Sequence, residues 1–246
     1  MFVRGRAAKE ILKHYLLDDR PCRRSVLALV GVFSLMVVVA TALIVGRGER
    51  GALFLWITLF SSCLGTGFGA PLMLTASVHR EKAEGSFGFL CALPISKRTL
   101  FLGTVLAGIV GSVIAFLPGY VIGILALTLS AGGGQWNFLP YLGLANLLVS
   151  FLSSSLMMTV AMNVNSPTVL GYVVIFFLVL GIYPGAILPL LPERVKARVL
   201  SPLDEALTQL ALSVEGRLLA AAMLFAISLL ILFVGLQIFT RKRSYV

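Results

Sequence analysis

Charge is what this 246-residue sequence has least of: Asp, Glu, Lys and Arg together make up 12% of it, about half the share of an ordinary soluble domain. None of these residues, and no histidine, falls inside six apolar windows described below. A carrier driven by protons or sodium normally keeps a carboxylate at membrane depth as a relay, and none is available here. Histidine is nearly absent, with His14 and His79 alone. That excludes an HExxH zinc helix and leaves an intramembrane serine nucleophile without an imidazole base. Ser153, Ser154 and Ser155 therefore read as helix-packing residues. The cysteines are three, Cys22, Cys63 and Cys91, an odd number scattered between spans and flanks that suggests no disulfide framework. No Gly-rich loop ending in Gly-Lys-Ser/Thr occurs, so the chain carries no phosphate cradle with which to hydrolyse ATP by itself. It is not expected to be an enzyme.

Long apolar runs are what is there. Apolar residues make up 59% of the chain, and windows long enough for roughly 30 Å of hydrocarbon fall at about 25–46, 52–74, 100–130, 139–162, 168–191 and 218–239. The fold expected is an all-α integral membrane protein with six transmembrane helices. No small-residue cleavage site follows the first run, which reads as a retained span and not a signal peptide. The excess of cations, 20 against 10 acids, is assigned to anionic lipid and not to nucleic acid. With the N-terminus in the cytosol, fourteen Lys and Arg face inward and six outward, so the positive-inside bias puts both termini in the cytosol. The third window is longer than a bilayer requires, so it is expected to tilt, protrude or break, and Pro118-Gly119 near its middle supplies a break. Pro184, Pro189 and Pro192 predict a kinked or re-entrant fifth span.

Outside the spans two segments look like surface helices. Val3, Ala7, Ile11 and Tyr15 recur every four residues, flanked by Leu12 and Leu16, with Arg4, Arg6, Lys9, Glu10 and Lys13 opposite. Residues 1–24 are thus expected to form a cytosolic amphipathic helix lying on an anionic leaflet, ahead of a six-span domain over 25–246. In the outer loop 192–217, Ser201 and Pro202 can open a helix with Asp204 and Glu205 in its first turn.

Between the second and third spans lies the loop 79–99. His79, Arg80, Glu81, Lys82 and Glu84 predict a solvated charge cluster. Ser86 is expected to cap a short helix carrying Phe87, Phe89, Leu90 and Leu93, which Pro94 ends, and Ser96 to cap the next helix from Lys97. A short helix this apolar is either a docking knob for a soluble partner or a plain interfacial helix.

The stretch Glu84 to Gly103, EGSFGFLCALPISKRTLFLG, resembles the loop between spans two and three of ABC-2 type permeases, the membrane subunits of ABC exporters. The match runs through Glu84, Gly85, Ser86 for the usual Thr, Phe87, Leu90, Leu93, Pro94, Ile95, Ser96, Lys97 for the usual Arg, Leu102 and Gly103. It departs at Gly88, where an acid is usual, and at Thr104, where Lys is usual. The expected layout is similar too: an amphipathic N-terminal helix, six spans, both ends inside and a longer outer loop before the last span.

The resemblance implies that this loop is a coupling helix seated in a cleft of a separate ATP-binding subunit, with ATP and magnesium held there and no cofactor on this chain. Phe87, Phe89, Leu90 and Leu93 would be the apolar anchors, with Arg80, Glu81, Lys82, Glu84, Lys97 and Arg98 as the polar rim. It further implies a second permease chain, identical or different, in the cell membrane.

The third span offers Gly103, Ala107, Gly111 and Ala115 at intervals of four, a small-residue face for close helix approach. Along the fourth, Asn146, Ser150, Ser153 and Met157 share a side. That side is either helix packing or part of a path for a hydrophobic cargo. The competing function is a stand-alone carrier or channel without an ATPase.

Overall fold

In the computed structural model every described element is helical. The structure describes residues 2–47, 49–92, 95–130, 139–164, 171 and 214–241. Helix α1 spans Phe2–Lys13 and passes into a π-helical turn, His14–Asp18. Then come α2 (Arg20–Arg47), α3 (Glu49–Ala83), the short α4 (Ser86–Ala92), α5 (Lys97–Ser130), α6 (Leu139–Asn163) and α7 (Val214–Arg241). Five of these, α2, α3, α5, α6 and α7, are long and apolar enough to cross a bilayer, which makes the chain a multi-pass membrane protein. The fifth apolar window, 168–191, with its prolines, and the expected helix after Ser201 lie outside the described residues.

The chain divides into two compact units, residues 1–165 with 228–246, and residues 166–227. Of the second, the structure describes Gly171 and the first half of α7. In the first unit α2 packs on α3 and α5, α3 also on α5 and α6, and α5 on α6. The apolar interior falls into two clusters. One, around Leu55, Leu59, Cys63, Phe116 and Leu142, lies between the spans. The other gathers Tyr15, Val78, Phe87, Phe101, Met158 and Phe239 at the end where α1 and α4 sit, here named the polar end.

Three expectations change on folding. Helix α5 runs unbroken through Pro118: a proline costs one backbone donor, and the hydrogen bonds on either side carry a long apolar helix across it. At about 1.5 Å per residue its 34 residues reach about 50 Å, beyond the hydrocarbon. Helix α3 continues nine residues past Leu74, so the charges at 79–82 belong to a helix and not to a loop.

The apolar face of α1 is turned inward as well. Ile11 and Tyr15 are buried, and α1 packs on α5. A Cβ added at Gly103 would lie 3.0 Å from Ile11 Cδ1, and one at Gly111 3.4 Å from Leu16. The small stripe on α5 is the seat of α1 and its π turn, which buries more apolar area than a face left on headgroups would.

Candidate functional site

Three consecutive residues at the end of α3 reach three different elements. In a helix successive side chains project about 100° apart, so Arg80, Glu81 and Lys82 fan outward. Arg80 Nη2 donates to Asp19 Oδ1 at 2.7 Å, at the elbow between the π turn and α2, where the Ser77 hydroxyl also donates to the Asp19 carboxylate.

Glu81 turns toward the π turn after α1: it accepts from the Tyr15 hydroxyl at 2.9 Å through Oε2, and its Oε1 lies 2.8 Å from His14 Nε2. Lys82 Nζ donates to the last carbonyls of α6, Met162 O at 3.0 Å and Val164 O at 3.3 Å, and also to Ala161 O. An ammonium there satisfies orphan carbonyls and complements the negative end of the helix dipole.

The expected solvated cluster is therefore an internal set of ties. Glu81 is 6% exposed, and a carboxylate so far from water is tolerated only when its lone pairs are engaged. The environment moves its partners. The hydrogen bond to Glu81 raises the His14 pKa above the usual imidazole range, against the opposing effect of partial burial. Burial, and then the negative charge of Glu81, push the Tyr15 phenol well above its ordinary value, so it stays a donor. His14, expected to stand alone, is paired; His79 Nε2 is buried with no partner among the described residues.

Helix α4 hangs on this set. Glu84 and Gly85 turn the chain, and Gly85 sits at φ +77°, a left-handed conformation that glycine adopts without a Cβ penalty. Ser86 was expected as a cap; it is the first helical residue instead, and its hydroxyl donates back to Glu81 O at 3.1 Å.

Phe87 is 1% exposed and belongs to the core of the polar end, with Lys82 Nζ 5.5 Å above its ring. It corrects the expectation of an exposed anchor: a large apolar side chain is needed to fasten so short a helix. Leu90 and Cys91 are half-buried against the same core. The side chain of Phe89, and Leu93 with Pro94, lie outside the described residues.

The accessible part of this segment is polar. Glu84, Gly85 and Ser86 are exposed, as are Ser96 and Arg98, while Lys97 is half-buried. Glu84 stays within 3.8 Å of Arg80. Ser96 caps α5 as expected, its Oγ accepting from Thr99 N at 3.1 Å.

Two residues of the stripe on α6 bond to α3. Asn146 donates to Cys63 O and Thr66 Oγ1, each at 3.0 Å, and Ser153 donates to Gly67 O at 2.6 Å, all on α3. Ser150 bonds its own helix at Leu147 O, and Met157 is 2% exposed. Asn146 and Ser153 thus seat α6 on α3. Ser154 faces α5, where a Cβ on Gly108 would stand 2.5 Å from its Oγ. All three cysteines are free.

Sequence reading missed Tyr15, Asp19 and Ser77 as members of the site. One signal for Tyr15 was present, since a phenol on the buried face of an amphipathic helix needs a polar partner, and few acids flank the spans. No protein-family model matches this chain, and no curated protein matches it.

Proposed function

We propose that this chain is the membrane subunit of an ABC-type transporter, an exporter in which a separate ATP-binding subunit docks on the segment Glu84 to Arg98. Docking does not use Phe87 as an anchor. The partner meets the polar surface of Glu84, Ser86 and Arg98 together with whatever α4 presents beside it, and Phe87 fastens α4 to the bundle. ATP and magnesium belong to the partner, and a second permease chain completes the pathway in the cell membrane, with both termini in the cytosol.

The observation that carries this reading is the fan at the end of α3. A push on a loop moves spans only if the loop is stiffly joined to them. Here α4 is one glycine turn from a helix end tied to the π turn after α1, to the elbow before α2 and to the end of α6. A simple interfacial connector has no need of three such ties. A small knob with a polar accessible surface on a rigid shaft suits the transmission of a partner's closure.

The test is co-purification with ATPases encoded beside this chain, followed by transport in vesicles. Glu84→Lys with Arg98→Glu is expected to lose the ATPase while the protein keeps its fold. Phe87→Ala is expected to lower thermal stability as well. Retention of coupled transport by the Glu84→Lys/Arg98→Glu protein defeats the proposal, as does transport that proceeds with no ATPase present.

A further inference from the structure

Because α5 takes up the apolar face of α1, lipid at the polar end meets a different surface. Helix α2 provides it. Arg20, Arg23 and Arg24 are all exposed at its first turns, and directly beyond them Leu27 is 58% and Leu35 64% exposed. Gly31, between these two, has nothing within 4 Å of where a Cβ would stand. Positions 20, 24, 27, 31 and 35 follow the three-and-four spacing of one helix face.

At the elbow Leu17 is 56% exposed, and its carbonyl accepts from Arg23 Nη1 at 3.0 Å, which holds that guanidinium beside an apolar side chain. Of the nearby acids, Asp19 is buried and engaged by Arg80 and Ser77. Asp18 is exposed beside the three arginines and Glu10 is exposed on α1, so cations predominate on this surface.

We propose that this face of α2 is a binding site for one anionic phospholipid, with its phosphate held by Arg20, Arg23 and Arg24 and its acyl chains laid along Leu27, Gly31 and Leu35. Guanidinium groups match phosphate oxygens with paired donors. From Arg24 to Leu35 the helix rises about 16 Å, close to the depth of one leaflet, half of roughly 30 Å. Charge at the headgroup level followed by one leaflet of open apolar surface is complementary to a lipid molecule; an acidic peptide would leave the apolar stripe uncovered. This site does not depend on the ATPase-docking reading.

The experiment is thermal unfolding of the full chain in neutral detergent with phosphatidylglycerol or phosphatidylcholine added at equal mole fraction. Phosphatidylglycerol is expected to raise the midpoint and phosphatidylcholine to leave it. Arg20→Gln/Arg23→Gln/Arg24→Gln should abolish that rise. Lys9→Gln/Lys13→Gln/Arg241→Gln, which removes the same charge from exposed cations elsewhere, should keep most of it.

Equal loss in the two triple variants, or an equal rise with inorganic phosphate alone, overturns the site. A second measurement stands if the arginine variant does not fold. Leu27→Trp in phosphatidylcholine nanodiscs is expected to be quenched more by brominated phosphatidylglycerol than by brominated phosphatidylcholine at the same fraction. Equal quenching by both overturns the proposal.

Discussion

Replacing Tyr15 by Phe removes one oxygen from the centre of the polar end and nothing else. The ring is fully buried, so the phenylalanine keeps the packing against α5 and the edge-on contact with His14, whose ring centroid lies 4.9 Å away. What is lost is the 2.9 Å hydrogen bond to Glu81 Oε2, together with the contact between the phenol oxygen and the Thr104 hydroxyl. Hydrogen bonds to a charged group contribute about 1.5–3 kcal/mol. The upper half of that range applies here, because the carboxylate is 6% exposed and water cannot take the place of the phenol.

At about 1.4 kcal/mol per tenfold, docking of the π turn on the bundle, and of α1 with it, weakens by roughly 40- to 140-fold. Hydrogen–deuterium exchange of the detergent-solubilised protein reads this locally. Amides in residues 7–18 should lose protection by about that factor, while those in the middle of α6 stay as they were. Tyr15→Phe combined with Glu81→Gln should cost less than the sum of the two, because they share the bond. Unchanged exchange over residues 7–18 would refute the idea that Glu81 holds the π turn and, through it, α1.

Other outcomes follow from the same geometry. His14 gains from Glu81 when protonated, so its folded pKa lies above the unfolded value of about 6.5. Its contribution is complete below that value and lost as pH rises through the raised one, so the stability advantage of the wild type over His14→Gln should shrink over that window in thermal melts. Lys82→Met should speed amide exchange at the end of α6, residues 160–164, where Lys82→Arg restores part of the protection.

Gly85→Ala has open space but the wrong backbone sign, and should destabilise by about 1 kcal/mol, with Gly85→Asn milder, in chemical denaturation. Gly67→Leu forces a side chain toward Val149 Cγ1, 2.7 Å from the first added carbon; a cost of about 1–3 kcal/mol should appear as a lower midpoint in thermal melts.

Apolar run length and end signals were enough to find α2, α3, α5, α6 and α7 and the short α4, and the cap at Ser96 was legible from its position before Lys97. Periodicity also identified the faces of α1 and of α6. What it could not supply was the neighbour of each face. The stripe Val3–Ala7–Ile11–Tyr15 looks the same whether it rests on lipid or on α5, and the choice depends on Gly103 and Gly111, some ninety residues away.

The charges at 79–82 read as solvated because single charges at a span end usually are. Arg80 pairs with Asp19, Glu81 with His14 and Tyr15, and Lys82 with carbonyls at the end of α6, neighbours that only the folded chain brings near. Phe87 misled for a related reason: an apolar residue on a short helix is equally fit to be displayed or to be a root, and sequence does not distinguish the two.

The fan at the end of α3 sets a rotational phase. Deleting or inserting one residue between Leu74 and Arg80 turns everything beyond it by about 100° and offers each charge to its neighbour's partner: an acid to the carbonyl end of α6, or an ammonium to the phenol of the π turn. Chain length over those few positions is therefore fixed more strictly than residue identity. The turn at Glu84–Gly85, which has open space around it, can absorb a change in length that the shaft beneath it cannot.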